Sequence, residues 1–256
     1  MKKVRDLLIC SIERPRGDYF LLKLTDTEPL PHMYPGQFVE VMVKHTSDVF
    51  LRRPISINYY DAELNEMWLL IHQVGAGTKA LSQLKSGDYV NCVFPLGKGF
   101  SMNFEGTNIL LVGGGVGTAP LLQYGRELKK MGKNIFFLLG GRSIRDLLQL
   151  DLFEKLGTVC VTTEDGSMGE KGFVTNHSVL KNEKFDFIAT CGPKPMMVAI
   201  AKYAIEQQIE CEASLENLMA CGLGACLCCV EKTITGNRCV CKDGPVFNIK
   251  ELLWQR

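Results

Sequence analysis

Short alternating apolar segments dominate the first hundred residues. Val4–Ser11, Tyr19–Leu24, Gln37–Val43, Arg53–Tyr59, Met67–Gln73 and Tyr89–Phe94 are each brief and rich in β-branched or aromatic residues. Turn signals separate them: Arg16-Gly17-Asp18, Pro35-Gly36 and Ser86-Gly87-Asp88. Regular short strands with this punctuation predict a small antiparallel β-barrel. One helix interrupts them near Thr78–Leu84, with Ala80, Leu81 and Leu84 on one face.

The period changes near residue 101. Asn108–Val112 is a short apolar strand, followed by the glycine-rich turn Gly113–Pro120 and a helix to about Lys130. Strands at Asn134–Leu139, Val159–Thr163 and Phe185–Thr190 alternate with helices at Arg145–Leu156 and Lys194–Gln208. Glu210–Leu215 reads as a last strand. Alternation at this spacing predicts an open parallel sheet, a Rossmann-like α/β domain. The 256 residues allow two domains and an appendage: 1–100, 101–212 and 213–256.

Charge excludes little beyond electrostatic partners. The net charge of +1 gives no argument for nucleic acid or an anionic membrane surface. The longest charge-free run, Gly106–Gly125, holds six glycines and a proline, so it is a poor membrane span. The start, Met1-Lys2-Lys3-Val4, carries no secretory signal, and a reducing, cytoplasmic location is expected.

Cysteine usage changes the picture most. Seven of the eleven cysteines lie between Cys211 and Cys241. Cys221, Cys226 and Cys229 are spaced C-x4-C-x2-C, the iron–sulfur spacing of plant-type ferredoxins. Gly222 and Gly224 let a loop bend round a cluster, and Cys241 offers a fourth thiolate. A structural zinc site is the competing reading, but it usually takes paired C-x2-C knuckles. Cys10, Cys92, Cys160 and Cys211 read as core residues.

The turn Gly113-Gly114-Gly115-Val116-Gly117-Thr118 suits an anionic phosphate, because bare backbone N–H groups and a helix N-terminus face it. Taken alone it is a moderate signal, with a tight structural turn as the competing reading. Arg52-Arg53-Pro54-Ile55-Ser56 falls in a barrel strand, and Cys191-Gly192-Pro193 follows a sheet strand. Together and in this order these segments resemble the ferredoxin-NADP reductase superfamily. That resemblance implies FAD contacts at Arg53, Pro54, Ile55 and Ser56, and again at Leu70, Ile71, His72, Gly77 and Thr78. It implies NAD contacts at Gly113–Thr118 and at Cys191, Gly192 and Pro193, with Cys191 near the nicotinamide. Arg53 is a permanent cation suited to a pyrophosphate.

The segments Glu216–Val230 and Cys241–Phe247 narrow the likeness to the electron-transfer subunits of dihydroorotate dehydrogenase type B. This resemblance covers the whole chain. It implies a FAD-binding barrel, a NAD-binding α/β domain and a small [2Fe–2S] domain with ligands Cys221, Cys226, Cys229 and Cys241. Cys228 and Cys239 are extra thiols without a matching role. Electrons would pass between NAD(H), FAD, the cluster and the FMN of a separate catalytic subunit, in a heterotetramer of two of each, during pyrimidine (UMP) biosynthesis. A flavin subunit of a sulfhydrogenase or transhydrogenase complex is the alternative. The chain has no barrel large enough to oxidise dihydroorotate itself. NAD is the implied nucleotide, although no acid follows the second sheet strand, where Arg142 and Ser143 stand. Leu223, Leu227 and Phe247 either face the partner or fill a local core.

Overall fold

The computed structural model describes residues 2–44 and 49–255. Seven strands build the first sheet: β1 (Lys3–Glu13), β2 (Tyr19–Thr25), β3 (Phe38–Val41), β4 (Arg53–Ser56), β5 (Tyr59–Asp61), β6 (Glu66–His72) and β7 (Tyr89–Leu96). They pair antiparallel in the order β4-β3-β7-β1-β2-β6-β5. The two edge strands are one continuous segment, not the single strand expected over Arg53–Tyr59. β4 pairs with β3, and β5 pairs with β6. The change of partner falls between Ile57, whose N–H donates to the Gln37 carbonyl, and Asn58, whose N–H donates to the Trp68 carbonyl. That crossing closes the sheet into a barrel. Helix α1 (Ala76–Leu81) lies between β6 and β7.

Period-two alternation sorts the barrel side chains. Leu7, Ile9, Phe20, Leu22, Leu24, Val39, Val41, Met67, Leu69 and Ile71 point inward to one core. The alternate residues Tyr19, Leu21 and Leu70 point outward and pack with Ala119 and Leu148 of the second domain. A one-residue register slip would therefore exchange the barrel core for the domain interface.

The second sheet comprises β8 (Asn108–Gly114), β9 (Asn134–Gly141), β10 (Thr158–Thr163), β11 (Glu170–Lys171), β12 (Phe187–Cys191) and β13 (Glu210–Ser214). These run parallel in the order β11-β10-β9-β8-β12-β13. Helices α2 (Ala119–Lys130), α3 (Leu150–Glu154), α4 (Val179–Asn182) and α5 (Lys194–Glu206) connect them. β8 is apolar without alternation because both its faces are covered: Leu110 and Val112 enter one core, Ile109 and Leu111 the other.

The helix expected over Arg145–Leu156 is broken. A 3-10 turn covers Ile144–Asp146, Gln149 is left-handed at φ +55°, and α3 begins only at Leu150. Leu147 and Leu148 explain the break. They are adjacent, yet Leu147 fills the sheet core and Leu148 the domain interface. Burying each contributes about 1.5–3 kcal/mol. That outweighs the roughly 1–3 kcal/mol cost of one left-handed non-glycine residue.

Beyond β13 come β14 (Val230–Thr233), β15 (Gly236–Cys239), α6 (Val240–Asp243) and β16 (Val246–Asn248). β14 and β15 form a hairpin that carries Cys229 and Cys241 at its two ends. β16 departs from the expected appendage: it pairs antiparallel with β13, Ala213 opposite Phe247, and completes the second sheet. An unpaired edge on β13 is thereby covered. Val246 and Phe247 alternate into the two cores flanking the sheet, so Phe247 is buried and cannot face a partner. Among the described residues no helix is long and apolar enough to cross a membrane.

Candidate functional site

The strand order reverses between β8 and β12. The chain runs outward from β8 through β9 and β10, then returns to place β12 and β13 on the other side. Ligands of open parallel sheets bind at such a switch point, outside the carboxyl ends of the strands. A cavity of about 570 Å³ opens there, walled by Gly114–Gly117 after β8 and Gly192 and Pro193 after β12. Gly115 is left-handed at φ +55°. A Cβ on Gly117 would overlap the Cys191 carbonyl and Gly192, so glycine alone lets the two turns touch. Thr118 folds its hydroxyl back to the Gly115 carbonyl at 3.0 Å and does not line the cavity. Gly117→Ala is expected to force the turns apart and weaken NADH binding by about tenfold or more. Unchanged affinity in a NADH titration would count against this turn.

Cys191 opens the second turn, but its thiol is not part of the cavity wall. It is buried in the sheet core, and burial pushes it well above the ordinary thiol range. What Cys191 offers the site is its backbone.

The FAD segments expected from the sequence converge on the barrel. Arg53 rests on α1: a Cβ on Gly77 would fall on its guanidinium. Its Nη1 donates to the Leu51 and Arg52 carbonyls, at 3.0 and 3.1 Å. Among the described residues no carboxylate pairs with Arg53. Thr78 is committed locally, its Oγ1 accepting from the N–H groups of Val74 and Gly75 at 3.0 and 3.2 Å. Pro54, Ile55 and Ser56 are half-buried on β4. Leu70 and Ile71 send their side chains into opposite cores, which leaves only their backbone for a ligand. β5 pairs with β6 only over residues 66–68. Beyond Trp68 the β6 backbone on that side is free of a ladder partner among the described residues.

His72 borders both regions. Its ring stacks on Tyr19 at 4.3 Å, and both line the cavity. The Tyr19 hydroxyl donates to Asp146 Oδ1 at 3.0 Å, while Asp146 Oδ2 accepts from the N–H groups of Arg142 and Ser143 at 3.0 and 3.1 Å. Burial, then the hydrogen bond to Asp146, raises the Tyr19 hydroxyl far above the usual tyrosine value. Sequence reasoning missed Tyr19 and Asp146; the Ser143-x-x-Asp146 capping pattern was the available signal. It also missed Glu164, which follows β10 and lines the cavity together with Arg142.

The cysteine loop is shaped for sulfur. Gly222, Gly224 and Leu227 are left-handed, at φ +65°, +83° and +59°. Backbone N–H groups aim at thiol sulfurs: Leu223 to Cys221 at 3.3 Å, Gly224 to Cys241 at 3.1 Å, and Cys241 to Cys229 at 3.4 Å. Burial opposes ionisation of Cys221, yet the N–H groups of Leu223, Cys226 and Ala225, with the Cys226 thiol, bring it down to about 6. Cys241 is pushed up to about 12 by burial and by the adjacent Cys229. Thus Cys221 neighbours Cys226, and Cys241 neighbours Cys229. Among the described residues no three His, Cys, Asp or Glu side chains converge as ligands of a single ion. Two thiol pairs on a loop of inward N–H groups fit an iron–sulfur cluster, whose potential such hydrogen bonds set. Cys228 is exposed, its thiol 3.6 Å from the Leu218 carbonyl, and Cys239 packs partly into the adjoining core.

Comparison with known proteins agrees with this geometry. Residues 216–253 match the iron–sulfur cluster binding domain of dihydroorotate dehydrogenase B, and residues 111–202 match the oxidoreductase NAD-binding domain. A dihydroorotate dehydrogenase B (NAD(+)) electron transfer subunit from Caldanaerobacter subterraneus subsp. tengcongensis is 42% identical over 229 residues, 88% of each chain. Its namesake from Shouchella clausii is 38% identical over 98% of each chain. The solved structure of an NADH-dependent reduced ferredoxin-NADP oxidoreductase matches 97% of this chain and 90% of its own, with TM-score 0.87 and 32% identity. Phthalate dioxygenase reductase shares the fold, with TM-score 0.68 and 17% identity over 90% of this chain and 87% of its own. With barrel, glycine turn and cysteine loop in this one order, the chain belongs to the dihydroorotate dehydrogenase B electron transfer subunits.

Proposed function

We propose that this chain carries electrons between NAD(H) and the FMN of a dihydroorotate-oxidising catalytic subunit, in the pathway to UMP. The observation that carries this reading is the continuity of the cavity. It runs from the glycine turn after β8 to His72 and Tyr19, which belong to the barrel. A nucleotide held on the sheet thus reaches the strands that suit a flavin. FAD, when bound, supplies the exchange between hydride and the single electrons of a [2Fe–2S] cluster.

Each part of the chain has a task in this reading. Gly114–Gly117 and the Gly192-Pro193 turn, which wall the cavity, hold the dinucleotide phosphates. Glu164, next to the cavity end of β9, supplies the acid for the ribose hydroxyls that β9 itself lacks, which favours NAD over NADP. Arg53 neutralises the flavin pyrophosphate, and the open β6 backbone at Leu70, Ile71 and His72 meets the ring. Cys221, Cys226, Cys229 and Cys241 hold the cluster. Leu218, Leu223 and Leu227 stand exposed round the cysteine loop, at 86%, 48% and 64%, and suit the catalytic subunit. The assembly is a cytoplasmic heterotetramer of two of each.

Anaerobic addition of NADH to the purified chain tests the reading. Bleaching of a flavin spectrum is expected; a chain that binds no flavin would overturn it. Arg53→Ala should reduce FAD retention by roughly tenfold to a hundredfold, because a charge-assisted hydrogen bond contributes about 1.5–3 kcal/mol. Full FAD occupancy in folded Arg53→Ala protein would remove this residue from the site.

A further inference from the structure

Asn58 lies where the barrel and the α/β domain meet, and its side chain crosses from one to the other. It follows Ser56 and Ile57 at the change of partner between β4 and β5, and it is fully buried. Its N–H donates to the Trp68 carbonyl at 2.9 Å, which fixes it to β6. Its Nδ2 donates to the Ala119 carbonyl and to Gln149 Oε1, both at 3.0 Å. Gln149 Nε2 returns a hydrogen bond to Asn58 Oδ1 at 3.0 Å. Ala119 is the first residue of α2, directly after the turn Gly113–Thr118. One amide therefore ties the strand of Ser56 to the glycine turn.

The arrangement specifies orientation as well as distance. Two amides facing each other with reciprocal hydrogen bonds are held in a common plane. The Ala119 carbonyl fixes which way round they sit: a flipped Asn58 would set its oxygen against the Ala119 oxygen. Gln149 holds φ +55°, a conformation that a non-glycine residue keeps only where its surroundings over-determine it. Asn58 is fully buried, and its amide left without partners would be costly, so the pair resists sliding. Other links between the domains lie elsewhere: Tyr19 to Asp146, Gln123 to the Met33 carbonyl, and Arg126 to the Tyr60 carbonyl. Loss of the amide pair would misalign the domains without detaching them.

We propose that Asn58 and Gln149 are positioning residues, which hold the dinucleotide crevice at the distance from the flavin strand that hydride transfer needs. This rests on the reading that FAD and NAD(H) occupy the two sides. Reacting atoms must stand about 3–3.5 Å apart, and a drift of about 1 Å can cost on the order of a hundredfold in rate.

The test is stopped-flow reduction of the bound flavin by NADH, without oxygen, in the full chain with its cofactors. Three variants decide it: Asn58→Ala, Gln149→Gly, and the exchanged pair Asn58→Gln with Gln149→Asn. Glycine suits φ +55°, so Gln149→Gly removes the amide and adds no backbone strain. In both truncations the limiting reduction rate per bound flavin should fall at least about tenfold, while half-saturation by NADH changes less than about threefold. The long-wavelength absorbance of the nicotinamide–flavin contact should weaken with it. The exchanged pair keeps both amides and the summed chain length, and should recover most of the rate. An unchanged limiting rate in Gln149→Gly overturns the proposal. So does a loss confined to flavin content or melting temperature, with the rate per bound flavin intact. If NADH fails to reduce the flavin of the unmutated chain, the functional reading itself falls, and this inference with it.

Discussion

Cys241→Ser is expected to remove the iron–sulfur spectrum and lower iron content by roughly an order of magnitude or more. The serine hydroxyl is a poor substitute for a thiolate, the ligand such clusters require. Cys241 is the informative member of the four because the sequence offers Cys239 as a rival two residues away. The geometry separates the two. Cys241 accepts the Gly224 N–H from the cysteine loop and stands beside Cys229. Cys239 lies in β15 opposite Val230, with its side chain packed partly against the core. Cys221→Ser, Cys226→Ser and Cys229→Ser should behave like Cys241→Ser. Cys228→Gly and Cys239→Val should keep the cluster. Electron paramagnetic resonance of the reduced proteins gives the answer. A signal retained in Cys241→Ser and lost in Cys239→Val would move the fourth ligand to 239.

Much of this architecture was legible in local pattern, and the failures share a cause. Barrel strands announce themselves because alternate residues enter one closed core, as Phe20, Leu22 and Leu24 do. The glycine turn is legible because Gly117 meets another backbone, which a side chain would prevent. What stayed hidden depends on contacts distant in sequence. The break at Gln149 is dictated by Leu148 and by Asn58, which lies 91 residues earlier. Phe247 reads as exposed or buried equally well until β16 is seen to pair with β13. Likewise Tyr19 looks like any strand aromatic; its hydrogen bond to Asp146 spans 127 residues. Helical period alone cannot register that Leu147 and Leu148 serve different cores. The site was legible where chemistry demands a residue type, and obscure where tertiary contact merely positions one.

Division of labour gives the second large effect. The isolated chain is expected to oxidise NADH with an artificial electron acceptor, since the glycine-turn cavity and the barrel strands proposed to hold the flavin lie within it. It should show no dihydroorotate oxidation, because among the described residues none of its three sheets forms a (β/α)8 barrel suited to oxidising that substrate. Adding the catalytic subunit should couple the two half-reactions, with orotate and NADH formed together. Electron tunnelling weakens steeply with distance, so the cysteine loop is the surface expected to face that partner. Leu223 and Leu227 stand on its exposed rim, whereas Phe247 is withdrawn beneath it into the core. Charged replacements at the rim, Leu223→Glu with Leu227→Glu, should therefore weaken assembly while NADH oxidation by the chain alone persists. Cys226→Ser separates route from assembly: with the cluster lost, NADH oxidation through the flavin should continue and coupled orotate formation should fall by at least about a hundredfold. Full coupled turnover in a Cys226→Ser complex that contains no iron would show that electrons bypass the cysteine loop.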